Sequence, residues 1–188
     1  MLLIMKSLVT LFTLVGLLAT ASAESLTINK GDRICLIGNT LPERMQHYGY
    51  FETLLYSRFP EHQLVVRNLG FSADELTLRS RSLNFGDPDH HLSKEKADVI
   101  LAFFGFNESF DGVDGLETFR AELETFITET LGKQYNGKTA PRLALISPIA
   151  YESIGGSLPS ATETNRNIEQ YAIAMAEVAA EHEVPFVD

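Results

Sequence analysis

Three residues of this chain have the types and spacing that acyl transfer needs. Thr40 is a hydroxyl two residues past Gly38, which ends an apolar run, and it stands just ahead of a segment opened by Pro42. At such a strand-to-helix turn, backbone N–H groups point at whatever the hydroxyl meets. Gly70 follows a second apolar run and offers a backbone N–H with no side chain to block approach. Asn107 follows a third run and offers a side-chain amide. A hydroxyl nucleophile with one backbone and one side-chain donor is the minimum set, because the donors stabilise the oxyanion of a tetrahedral intermediate. Each donor contributes about 3–4 kcal/mol in the transition state.

The elements that must hold these residues alternate between short apolar runs and amphipathic segments, the pattern of βα units and a parallel sheet. Strands are expected at 33–37 (RICLI), 63–69 (QLVVRNL), 98–104 (DVILAFF), 143–147 (LALIS) and 184–187. The third is apolar on both faces, as a central parallel strand is. A helix is predicted over 42–59, with Met45, Tyr48, Phe51, Leu55 and Phe59 at three- and four-residue spacing. A shorter one is predicted around 73–82, followed by a turn-rich loop at 84–89. Asp114 with Glu117 announces the next helix, whose core face is Leu116, Phe119, Leu123, Phe126 and Ile127. Ser160 with Glu163 announces the last, with Ile168, Tyr171, Ala172, Met175, Val178 and Ala179 inward.

Right-handed crossovers leave a three-layer α/β/α sandwich with a five-stranded parallel sheet of order 2-1-3-4-5 as the simplest assembly. In such sheets ligands sit beyond the carboxyl ends of the strands, at the switch point between strands one and three. Gly38-Asn39-Thr40, Asn68-Leu69-Gly70-Phe71-Ser72, Gly105-Phe106-Asn107-Glu108 and Ser147-Pro148-Ile149 are the loops that reach that edge.

Composition narrows the partners. The 188 residues include 25 Asp and Glu against 15 Lys and Arg, for a net charge of −10. That balance gives no electrostatic footprint for a nucleic-acid backbone or an anionic membrane surface. Cys35 is the one cysteine, so no internal disulfide forms. Its place inside an apolar strand with no cation beside it reads as a small buried hydrophobe. The first 23 residues read as a secretory signal: Lys6, an apolar run over 8–18, and Ala21-Ser22-Ala23 at the cleavage position. The run falls short of the roughly 18–20 apolar residues of a spanning helix, so no stable membrane insertion is expected after cleavage. The working unit is then an exported domain over 24–188, periplasmic or secreted, and nothing in its composition sets an oligomeric state.

The three loops together resemble the SGNH or GDSL-type hydrolases. That family has Gly-Asp-Ser after strand one, a Gly after strand two and Gly-x-Asn-Asp after strand three. The matching positions are Gly38-Asn39-Thr40, Gly70 and Gly105-Phe106-Asn107-Glu108, in the right order along the chain. The resemblance implies a flavodoxin-like sandwich and hydrolysis of carboxylic or acetylated-carbohydrate esters without metal or organic cofactor. Thr40 would stand at the nucleophile position, with Gly70 and Asn107 forming the oxyanion hole. The expected partner is a small-molecule or carbohydrate ester.

The departures bear on mechanism. Thr40 stands where the family has Ser, and its methyl restricts rotation and crowds a tetrahedral centre. Asn39 stands for Asp and Glu108 for Asp. The family's base comes from an Asp-x-x-His block after strand five, and the last residue here is Asp188, so the reading is of a domain without its general base and C-terminal helix. A hydroxyl without a base within about 2.6–3.2 Å attacks esters slowly. Of the five histidines, His47 lies two turns into the first predicted helix. His62 and His182 precede strands two and five, and His90-His91 belongs to the turn-rich loop. Plainer readings stand beside these: Thr40 as a helix cap, Gly70 as a turn glycine, Asn107-Glu108 as the cap of a short helix. The alternatives carried forward are therefore a weak or inactive ester hydrolase and a non-catalytic ligand-binding module. Similar Gly-Asn-Thr variants can also stand at the front of longer exported chains that bind haem, which would make this chain a detached leading domain.

Overall fold

In the computed structural model, which describes residues 25–82, 84–157 and 161–188, every expected strand forms. They are β1 (Arg33–Gly38), β2 (Val65–Asn68), β3 (Val99–Phe103), β4 (Arg142–Ile146) and β5 (Phe186–Val187). All pair in parallel, in the order β2-β1-β3-β4-β5. The signal-like 1–23 segment and the Ser160 cap lie outside the described residues.

The central strands are buried on both faces, and their alternate side chains build two cores. Cys35 and Ile37, Ile100 and Ala102, Leu143 and Leu145 face one way. There they meet Phe119, Leu123 and Ile127 of α4 (Gly112–Leu131) and Tyr171, Met175 and Val178 of α5 (Ala161–Glu181). Ile34, Leu36, Val99, Leu101 and Phe103 face the other way, against Met45, Phe51, Leu55 and Phe59. This is the three-layer sandwich that the chain's βα rhythm predicts.

Several helix boundaries differ from expectation. The 42–59 helix is two: α1 (Thr40–Met45) and α2 (Tyr50–Arg58). Gly49 takes a left-handed φ of 60° between them, which interrupts the helical ladder and leaves Tyr48 exposed rather than in the core. The 73–82 stretch is not helical. Ala73 has φ 65°, and the Leu76 N–H bonds to Glu108 instead of to a residue one turn back. A helix forms where turns and a loop were expected, α3 (Pro88–Glu95). Asp87 caps it, accepting from the His90 N–H at 2.6 Å, and Pro88 opens it with Leu92 buried beneath. α4 begins at Gly112 without a side-chain cap, earlier than Asp114, after a 3-10 turn at Glu108–Asp111. Ala172 is only partly buried, and Ala174 takes the inward place.

Candidate active site

The turn after β1 is set by how closely β1 approaches β3. Gly38 pairs with Phe103 and has φ 116°. A Cβ there would lie 2.1 Å from the Phe103 carbonyl oxygen, so only glycine closes the approach. The Asn39 N–H then donates to that carbonyl at 3.1 Å. The Asn39 side chain is buried and accepts from the Leu41 N–H at 3.1 Å, which makes Asn39 the cap of α1. Thr40 is therefore the first helical residue and not the cap. It lines a cavity of about 230 Å³ with Leu41, Phe103, Phe104, Phe106, Pro148 and Ile149.

Gly70 packs directly on α1: a Cβ would lie 2.8 Å from the Glu43 nitrogen and from Pro42. Its N–H donates to Asn68 Oδ1 at 3.0 Å, and Asn68 Nδ2 donates in turn to the Pro42 carbonyl. Gly70 is thus more than a turn glycine, since its lack of a side chain lets the β2 loop lie against the helix that carries Thr40. Asn107 precedes the 3-10 turn without capping it. Its Nδ2 donates to the Asp74 carbonyl at 3.3 Å. Thr40, Gly70 and Asn107 all stand at the carboxyl edge of the sheet. Thr40 and Gly70 line different cavities.

Glu108, which stands for the family's Asp, and three residues not singled out by the sequence, Asp74, Arg79 and Arg81, hold this edge together. Glu108 is buried, and its two carboxylate oxygens accept from the Leu76 N–H at 3.0 Å and the Gly105 N–H at 2.9 Å. It ties the 72–82 loop to the turn that carries Asn107. Burial pushes its carboxyl above the usual range, and those backbone donors work against that rise. Asp74, also buried, is gripped by both Arg81 terminal nitrogens at 2.6 and 2.7 Å. Arg79 lies over the Phe104 ring. For Asp74, Arg79 and Arg81 the only signal was the mix of acids and arginines over 73–82.

None of the five histidines lines the Thr40 cavity. His90 and His91 sit in the first turns of α3, where His91 Nε2 lies 3.0 Å from the Phe85 carbonyl. Cys35 is buried, with desolvation and then Glu95 pushing its thiol up to about 12, so it holds no thiolate at neutral pH. Among the described residues no group of His, Cys, Asp and Glu is placed to hold a metal ion, and no helix is long and apolar enough to cross a membrane.

A parallel 2-1-3-4-5 sheet with a hydroxyl, a glycine and an asparagine at successive strand ends defines an SGNH-type hydrolase fold. The chain belongs to the GDSL-like lipase/acylhydrolase family, whose model matches residues 25–188. No curated protein sequence matches it. Among solved structures it resembles BT4096, a gut microbial diltiazem-metabolizing enzyme, at 18% identity and TM-score 0.62, over 87% of this chain and 38% of that one. It also resembles the acetyl xylan esterase AlAXEase at 18% identity and TM-score 0.59, over 82% and 75% of the two chains. The aryl esterase of M. smegmatis is similar at 14% identity and TM-score 0.58, over 84% and 82%. The chain thus spans well under half of the first of these and about four-fifths of the last.

Proposed function

We propose that this chain is an exported ester hydrolase of slow basal turnover, acting on carboxylic or acetylated-carbohydrate esters with Thr40 at the nucleophile position. The observation that carries the reading is the apolar cavity beside the Thr40 hydroxyl. At about 230 Å³ it lies below the roughly 300–1,000 Å³ of sites for drug-sized ligands, which suits a short acyl group. Gly70 and Asn107 are the assigned oxyanion donors. Asn107 keeps a second N–H besides the one given to Asp74, and the 3.3 Å length of that bond is loose enough to yield to a stronger acceptor. Slow turnover follows from the wall of the cavity, which holds Arg44 but no imidazole or carboxylate. Export rests on the leader-like 1–23 segment, and the exported chain is expected to begin at Glu24 on N-terminal sequencing; a chain that retains Met1 overturns it.

Hydrolysis of p-nitrophenyl acetate tests the chemistry. The wild-type chain is expected to exceed Thr40→Ala, and added imidazole, acting as an external general base, is expected to accelerate the wild type more than the variant once the enzyme-free imidazole rate is subtracted. Equal rates in both conditions would remove Thr40 from catalysis. A second reading, a non-catalytic ligand-binding module, is favoured by one observation: the Gly70 N–H is already paired with Asn68. That outcome of the assay would select it.

A further inference from the structure

The Asn107 amide is held in place by contacts that run through a neighbouring loop. One of its N–H groups goes to the Asp74 carbonyl, and residues 71–82 around Asp74 form neither helix nor strand. Just before Asp74, Ala73 takes φ 65°, a left-handed conformation that is costly for a residue with a Cβ and persists where its surroundings over-determine it. Two anchors do so here. Glu108 accepts from the Leu76 N–H at 3.0 Å on one side. On the other, Arg81 reaches back seven residues to Asp74, with Nη1 on Oδ1 at 2.6 Å and Nη2 on Oδ2 at 2.7 Å.

Arg81 does not line the Thr40 cavity. Its guanidinium is seated over the Phe71 ring at 3.9 Å, and the Asp74 side chain it grips is buried. A planar fork on both carboxylate oxygens fixes the distance and the plane of the acid together. Arg79 also pairs with Asp74, but its Nε stands 3.8 Å from Oδ2, beyond hydrogen-bonding distance, and its guanidinium lies over Phe104. It supplies charge without fixing the plane. Without Arg81 the buried carboxylate keeps only that looser partner and turns toward water. Ala73 then relaxes from its left-handed φ, and the Asp74 carbonyl leaves the Asn107 amide. This matters for chemistry because an oxyanion donor contributes most when it is fixed before charge develops. An amide nitrogen that gives one N–H to Asp74 has its second N–H fixed in the same plane.

We infer that Arg81 is a positioning residue: through Asp74 it holds the Asn107 amide in the orientation from which that amide serves a developing oxyanion. The catalytic consequence rests on the hydrolase reading above; the hold of Arg81 on Asn107 does not. Two measurements test the two parts. Nitrogen-15 relaxation reads the Asn107 side-chain NH₂ group, identified by its loss in Asn107→Ala. The group is expected to be as rigid as the backbone in wild type and to become mobile in Arg81→Gln while the β3 amides stay unchanged. Arg81→Lys keeps the charge but not the fork, so it is expected to lie between the two. It carries the test if the glutamine variant does not fold. A wild-type, rigid Asn107 amide in folded Arg81→Gln, or failing that in Arg81→Lys, overturns the proposal. In p-nitrophenyl acetate hydrolysis Arg81→Gln is expected to lower kcat about tenfold to a hundredfold, as a misplaced catalytic group does, with KM little changed. In an Asn107→Ala background the same substitution is expected to lower kcat no further. A fall of the same size in both backgrounds means that Arg81 acts by another route, and overturns the positioning role. If the amide loosens but Thr40→Ala hydrolyses as wild type does, the hydrolase reading falls and the hold of Arg81 on Asn107 stands. If hydrolysis depends on Thr40 but the amide stays rigid, the reverse holds.

Discussion

Gly38→Ala is expected to destabilise the chain by about 3–5 kcal/mol, from two costs that add. The first is conformational: a φ of 116° lies outside the range of residues with a Cβ, and even the milder left-handed region costs about 1–2 kcal/mol. The second is steric: the new methyl would sit 2.1 Å from the Phe103 carbonyl oxygen and 2.7 Å from its carbon. These are backbone atoms of the central strand, so nothing flexible can swing aside, and forcing β1 off β3 costs on the order of 1–3 kcal/mol. Against a total stability of roughly 5–15 kcal/mol the loss is severe. Gly49→Ala isolates the first cost, because Gly49 has φ 60° and nothing within 4 Å of its would-be Cβ, and it is expected to lose only about 1–2 kcal/mol. Urea midpoints of the two variants measure the difference; a Gly38→Ala loss no larger than that of Gly49→Ala would show that β1 can shift away from Phe103. The motif glycine two residues before Thr40 is then first a packing requirement and only through it a feature of the site.

How far the sequence could be read follows from which interactions are local. The strands were legible because runs such as Asp98 to Phe104 are apolar on both faces and end at turn residues. The inner faces of α4 and α5 were legible because Phe119, Leu123 and Ile127, or Ile168, Tyr171 and Met175, repeat at helical spacing and are indeed buried. The same periodicity misled over 42–59, where it carries through a break set by the backbone of Gly49. Around 73–82 it misled because the Leu76 N–H finds its partner 32 residues away, on Glu108. The site divides along the same line. Thr40, Gly70 and Asn107 are marked by their places after apolar runs. Of the groups that brace them, Glu108 is marked by its place after Asn107, whereas Asp74, Arg79 and Arg81 are defined by contacts that no spacing along the chain displays. Asn39 lay between: its cap to Leu41 is local, and its neighbour's hydroxyl drew the attention.

Glu108 carries the second large effect, and its two roles can be separated. Glu108→Ala leaves the Leu76 and Gly105 N–H groups without their acceptor in a buried setting, at about 1–3 kcal/mol each, so a loss of about 2–6 kcal/mol is expected. Glu108→Gln keeps one acceptor and turns an NH₂ toward the other N–H, and about half that loss is expected. The pH dependence distinguishes ionisation from hydrogen bonding. Burial raises the folded-state pKa of Glu108, so the folded protein holds this proton more tightly than the unfolded chain does. The resulting stabilisation is complete below the ordinary glutamate range and is lost as pH rises through the raised folded value. Glutamine has no proton to lose, so the gap between wild type and Glu108→Gln is expected to be widest below the ordinary glutamate range and to narrow as pH rises through the raised folded value. Denaturant unfolding of both proteins across that range measures it, and a gap that widens with pH would mean the carboxylate, not the acid, is the form the fold prefers. A narrowing gap would place the 72–82 loop, and with it Arg79 and the Asn107 amide bonded to Asp74, under the control of a carboxyl group whose ionisation loosens the fold.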